Sequence, residues 1–144
     1  RHTFDQVVGA MEDDAWDKLL ETMAVLADKD ETRTVIRTTL VDGENMHHPD
    51  WYAGFYQQAD PDFIELKAYM HVGHSRGRLD RSSMPDHDDV MDFAESVADY
   101  MPDFTEVSGV PASRVALLSK TSDTWVPKLQ KDSEFWERDP ITGT

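Results

Sequence analysis

The sequence predicts an α/β domain built on a mainly parallel sheet. Helical and strand segments alternate along its 144 residues, the pattern that parallel sheets with crossover helices produce. The least ordinary residues follow the two clearest strand segments, where parallel α/β folds hold their ligands. Those strands also carry charged side chains on one face, as the wall of a polar cavity would.

The first helix runs from about Asp13 to Asp28, with Trp16, Leu19, Leu20, Met23, Ala24 and Leu26 at helical spacing. Thr32–Val41 (TRTVIRTTLV) is rich in β-branched residues and reads as a strand. The turn Asp42-Gly-Glu-Asn-Met46 leads to Pro49, whose fixed φ and missing N–H suit the first position of a helix reaching about Gln58. Asp60-Pro-Asp62 breaks that helix before a second strand, Phe63–Met70. A loop holding His71, His74, Arg76, Arg78 and Arg81 with two glycines follows. Met84-Pro-Asp-His-Asp-Asp opens a third helix, with Val90, Phe93, Ala94, Val97, Ala98 and Met101 on one face and acids at its positive end. Short strands are expected at Phe104–Ser108 and Ser113–Ser119, with Met70, Phe93 and Leu117 in the core. The final stretch, 120–144, shows no period and reads as an irregular extension, packed in part through Trp125 and Trp136.

The strands are two-faced. In Phe63–Met70, Ile64, Leu66, Ala68 and Met70 suit packing under helices, while Phe63, Glu65, Lys67 and Tyr69 share the other face. The first strand repeats this, with Arg37 and Thr39 opposite Ile36, Thr38 and Leu40. Charges on a buried face are costly unless paired or met by a ligand. The alternatives are a lined cavity and a Glu65–Lys67 pair at a sheet edge.

Composition narrows the class. The formal net charge is −15, from 29 acidic and 14 basic residues, and 20 of the acids are Asp. Such self-repulsion costs a compact state, but screening lengths fall to about 3 Å at 1 M salt. The acids spread over every segment, so the composition reads as that of an extreme halophile; an acidic surface mimicking nucleic acid is the alternative. There is no cysteine, hence no disulfide and no thiolate metal site. No apolar run approaches the roughly 20 residues that a membrane helix needs, and no signal peptide is visible, so a cytoplasmic location is expected. The chain begins at Arg1 and enters structured-looking sequence at once, which suggests a fragment. His47-His48 and His71-x-x-His74 lack further ligands at zinc spacing, and no metal site is assigned.

The runs TRTVIRTTLVDGENM, ADPDFIELKAYMHVGHSRGRL, MPDHDDVMDFAESV and ASRVALLS resemble the C-terminal half of archaeal tRNA 4-demethylwyosine synthases, collinearly from about Trp16 to Ser119. The resemblance implies a radical S-adenosylmethionine lyase with a partial TIM-type barrel: residues 1–62 would be later β/α units, 63–119 the wyosine base formation region and 120–144 a family-specific extension. It implies condensation of N1-methylguanosine beside the anticodon of tRNA-Phe with a two-carbon unit of pyruvate. S-adenosyl-L-methionine and 4Fe–4S clusters are the implied cofactors, and the N-terminal half of the same protein an implied partner. Clusters need thiolates, and this chain has none, so the segment alone is expected to be inactive. Asp42 stands where relatives tend to carry Lys.

Arg37, Asn45 and Lys67 are the candidate cofactor contacts, with Asn45 otherwise a turn residue and Lys67 otherwise paired to Glu65. His74, Arg76, Arg78 and Arg81 are the candidate tRNA contacts, because guanidinium forks match phosphate oxygens. The alternative for the arginines is pairing with Asp80, Asp86 or Asp88. Tyr69 either stacks a base or packs in the core. The competing functions are a non-catalytic tRNA-binding module and an acidic protein-interaction domain.

Overall fold

A computed structural model of the chain describes residues 1–29 and 32–120. Its helices are α1 (His2–Val8), α2 (Ala15–Ala27), α3 (Pro49–Gln57) and α4 (His87–Ala98), and its strands β1 (Val35–Leu40), β2 (Phe63–Ala68), β3 (Glu106–Val110) and β4 (Val115–Ser119). The expected extension with Trp125 and Trp136 lies outside the described residues.

The strands form one open sheet in the order β1-β2-β4-β3. β1 and β2 are parallel, but β4 runs antiparallel to both β2 and β3, which corrects the expectation of mainly parallel strands. The reason lies in the connections. α3 provides the crossover that parallel neighbours require. Residues 111–114, joining β3 to β4, are too few for a crossover and permit only an antiparallel return.

Register determines what is buried. Ile36 faces Ile64 across β1 and β2, and Ile64 faces Leu118 across β2 and β4. With Leu66, Ala68 and Ala116 they make an apolar face packed under α3 and α4. Thr38 is the polar residue on that face in β1, and the hydroxyl of fully buried Tyr56 meets its Oγ1 at 2.7 Å. Phe93 is buried as expected. Met70 is not: the strand ends at Ala68, so the alternation stops and Met70 is 43% exposed. Leu117 is half-buried on the opposite face, since Ala116 and Leu118 take the helix-facing positions of β4.

Helix ends follow their capping chemistry. α4 begins at His87 rather than at Met84 because Asp86 forms a capping box, accepting from the Asp89 N–H at 2.9 Å while Asp89 accepts from the Asp86 N–H at 3.0 Å. That backbone hydrogen bond holds the Asp86 carboxyl below its ordinary value. Helix α1 had no sequence signal: it spans seven residues, two turns being too short for a period to show. It docks through Phe4, whose ring meets Trp16 edge-on at 5.2 Å.

Candidate functional site

β1 and β2 end side by side, and their exits are tied together. The Tyr69 N–H donates to the Leu40 carbonyl at 2.7 Å, and the Asp42 N–H to the Ser83 carbonyl at 2.9 Å. The asparagine turn and the basic loop therefore form one surface at the carboxyl ends of the parallel pair, where such folds expose their chemistry.

Asn45 is the buried centre of the turn. Its Oδ1 accepts from the Val41 N–H at 2.7 Å, and its Nδ2 donates to the Thr39 carbonyl at 2.9 Å. Tyr52 donates its hydroxyl to the Asn45 carbonyl at 2.9 Å, and burial pushes the Tyr52 hydroxyl up to about 12. Burial also raises Tyr56, partly offset by its bond to Thr38. The Asn45 amide occupies Thr39 O and Val41 N as a neighbouring strand would, and so ends the free edge of β1. The turn role expected for Asn45 is present.

Arg37 and Lys67 lie on the second face of the sheet, away from α3 and α4. Arg37 stands directly opposite Glu65 in the register, and its Nη2 donates to Glu65 Oε2 at 2.9 Å. Glu65 thus pairs across strands, and Lys67 forms no ion pair among the described residues. Thr39 stands opposite Lys67 and is exposed. This face is polar along the two strands, and its Arg37 side chain is 63% exposed.

The basic loop is folded, with short 3-10 turns at Gly73–Gly77 and Arg81–Ser83. Gly73 has φ 61, a conformation glycine adopts without strain. His74, Arg76, Arg78 and Arg81 are all exposed. Arg76 donates from Nε to the His71 carbonyl at 3.2 Å. None of the three arginines forms an ion pair among the described residues, so the contemplated pairing with Asp80, Asp86 or Asp88 is not made. Tyr69 is buried, with its hydroxyl 3.1 Å from both His71 Nδ1 and Ser75 Oγ. Sequence reasoning missed this link: Tyr-x-His-x-x-x-Ser is no motif, and only the loop's folding unites the three.

A cavity of about 600 Å³ lies alongside β1, between α1, α2, α3 and the basic loop. It touches Ile36, Arg37, Thr38 and Thr39 in succession. Neighbouring strand residues point to opposite faces, so a cavity meeting all four runs along the strand's edge. Trp16 stacks on Phe55 at 5.7 Å in its wall. Near it, exposed Trp51 stacks on His48 at 3.9 Å. Arg37, Asn45 and Arg78 share this cavity, whereas Lys67, His74, Arg76 and Arg81 do not line it. Among the described residues, no group of three or more His, Cys, Asp or Glu is placed to hold a metal ion. No helix among them is long and apolar enough to cross a membrane.

Residues 58–120 match the family described as wyosine base formation. The chain is 42% identical over 118 residues to the S-adenosyl-L-methionine-dependent tRNA 4-demethylwyosine synthase of Pyrococcus horikoshii, covering 82% of this chain and 34% of that protein. It is 39% identical over 114 residues to the enzyme of the same name from Methanocaldococcus jannaschii, covering 79% and 35% respectively. A solved structure of TYW1 with a lysine-pyruvate adduct bound superposes with a TM-score of 0.72 at 32% identity, over 83% of this chain and 37% of that one. The chain thus spans about a third of the length of the curated relatives it matches. These similarities set the chain beside about a third of the tRNA 4-demethylwyosine synthases named above, with its residues 58–120 matching the wyosine base formation family.

Proposed function

We propose that the chain is the tRNA-docking part of an S-adenosylmethionine-dependent, wyosine-forming enzyme of the cytoplasm. The target is the N1-methylated guanosine beside the anticodon of tRNA-Phe, and pyruvate supplies the added carbons. The observation that carries the docking role is the basic loop. In a chain of net charge −15, three arginines stand exposed without an acidic partner among the described residues, inside the family-matched span. Guanidinium groups free of carboxylates are available to phosphate oxygens.

The polar face of β1 and β2 supports the rest of the reading. Arg37 and Lys67 offer cations to a carboxylate, a group shared by pyruvate and S-adenosylmethionine. Asn45, with its amide spent on Thr39 and Val41, holds the turn beside them and leaves contact to its neighbours. S-adenosylmethionine, when bound, would supply the radical chemistry implied by the family. The donor set does not fit an iron–sulfur cluster, because the chain has no cysteine. Cluster ligands must come from elsewhere in the whole protein.

The outer edge of β1, which carries no strand among the described residues, supports a larger barrel. The Thr34 and Leu40 carbonyls accept from β2-side amides, and Thr39 and Val41 point the other way, to Asn45. The backbone groups of Arg37 and the amide of Thr39 therefore lie on the cavity side of β1. We infer that a strand from the remaining two thirds of the protein pairs there, extending the sheet toward a partial TIM-type barrel.

The test is tRNA-Phe binding in molar potassium chloride, comparing the parent with a variant carrying Arg76→Ala, Arg78→Ala and Arg81→Ala. Each lost phosphate contact should reduce the slope of log K against log salt by about 0.9, so the triple variant should bind weakly with a slope lower by about 2 to 3. Equal affinity and slope would assign the arginines to the fold.

A further inference from the structure

Proton counting in the Tyr69 cluster fixes which histidine nitrogen is bare. Ser75 has one hydroxyl proton and donates it to the Val72 carbonyl, 2.5 Å away. Its oxygen therefore accepts from the Tyr69 hydroxyl at 3.1 Å, which spends the one tyrosine proton. The Tyr69 oxygen still faces His71 Nδ1 at 3.1 Å and has only a lone pair to offer, so Nδ1 carries a proton and donates it. Any other assignment sets two lone pairs against each other or leaves the buried phenol without its acceptor. In neutral His71 the second nitrogen, Nε2, then has no proton and is an acceptor. The residue is held at two points: the ring at Nδ1 by Tyr69, itself 6% exposed, and the backbone carbonyl by the Arg76 Nε at 3.2 Å.

That acceptor sits in a loop whose three exposed arginines, Arg76, Arg78 and Arg81, can only donate. Cations on phosphates fix position but read no sequence; an acceptor reads a donor on a base edge. We propose that His71 Nε2 accepts a hydrogen bond from the exocyclic amine of an RNA base, with Tyr69 and Ser75 as positioning residues that fix its tautomer. This rests on the tRNA reading above and names the base-edge chemistry that the arginines leave unread. A carboxylate in the same place would serve as an acceptor too, but would repel the phosphates beside it. Neutral imidazole does not.

The experiment uses the whole protein and two tRNA-Phe transcripts, with guanosine or inosine beside the anticodon. Inosine is guanosine without the exocyclic amine. In molar potassium chloride the parent should prefer guanosine by about five- to tenfold, the worth of one hydrogen bond. His71→Phe should bind both equally, and His71→Gln, whose amide oxygen can stand near Nε2, should keep part of the preference. Nitrogen-15 labelling of histidine should show the Nδ1–H tautomer in the parent and a mixture in Tyr69→Phe. A preference that survives His71→Phe overturns the proposal, as does an Nε2–H tautomer in the parent. A parent that binds both transcripts equally sinks this inference alone, while one that binds neither sinks the tRNA reading with it.

Discussion

Asn45 shows how much one side chain can hold at the end of a strand. It is 7% exposed, and its two amide atoms satisfy Val41 N–H and Thr39 C=O. Asn45→Ala strands both groups where water reaches poorly, and should cost about 1–3 kcal/mol in chemical denaturation. Asn45→Asp keeps the bond from Val41 but sets a carboxylate against the Thr39 carbonyl, and should be no better tolerated than Ala. The adjacent Tyr52 gives a pH signature. Its folded value, about 12 against an ordinary 10.0, is raised by burial of the neutral phenol. A raised value means its stability contribution is whole below pH 10.0 and is lost as pH climbs toward about 12, because the unfolded chain ionises first. Denaturation across that window should show a steeper alkaline decline in the parent than in Tyr52→Phe. The sequence placed Asn45 after a strand and left it between turn and cofactor contact. Its partners, Thr39 and Val41, give it the turn role, and partners depend on how the turn closes. Likewise Tyr69 sat on the polar side of the strand by parity, yet its hydroxyl points into a cluster that forms only once the loop folds.

At the scale of elements, the periods of α2 and α4, the Pro49 start of α3 and the β-branched run of β1 were readable, since each is written in local sequence. Strand direction was not. β3 and β4 are antiparallel because residues 111–114 close so short a return, with Pro111–Ser113 in a 3-10 turn and Arg114 at φ 49. Nothing in the strands' own alternation encodes that. The same hairpin makes its own demand at Gly109, which faces α4. A Cβ built there would lie 2.6 Å from Met91 Sδ and 2.9 Å from His87 Cε1. Met91 can swing aside, but the half-buried His87 ring at the first turn of α4 must shift as well. Gly109→Ala should therefore cost about 1–3 kcal/mol, the range for overpacking a filled site, read as a lower denaturation midpoint. Gly109→Ala combined with Met91→Ala should recover part of that loss. An unchanged midpoint in the single variant would mean that β3 stands farther from α4 than the structure has it.

The whole molecule is a sheet covered by α3 and α4 on one face, with a second face that is polar along β1 and β2 and one edge bordering a cavity. The sequence foretold the polar face, because Arg37, Glu65 and Lys67 alternate with apolar residues; it could not show that the edge beside it carries no strand among the described residues. On the reading proposed above, that edge is where a strand of a longer protein would pair. Backbone groups of the even-numbered residues of β1 pair with β2, so the Thr38 amide should exchange slowly with solvent in this chain by itself. The Arg37 and Thr39 amides point into the cavity along β1, and in the same sample should exchange far faster, as unpaired edge groups do. In the whole protein, a strand seated on that edge would take both amides into its ladder and slow them to the level of Thr38. Residue-resolved hydrogen exchange on the two samples checks this directly. Arg37 and Thr39 amides that stay fast in the whole protein would show that no strand pairs there, and the cavity beside Trp16 and Phe55 would then be open to a ligand instead.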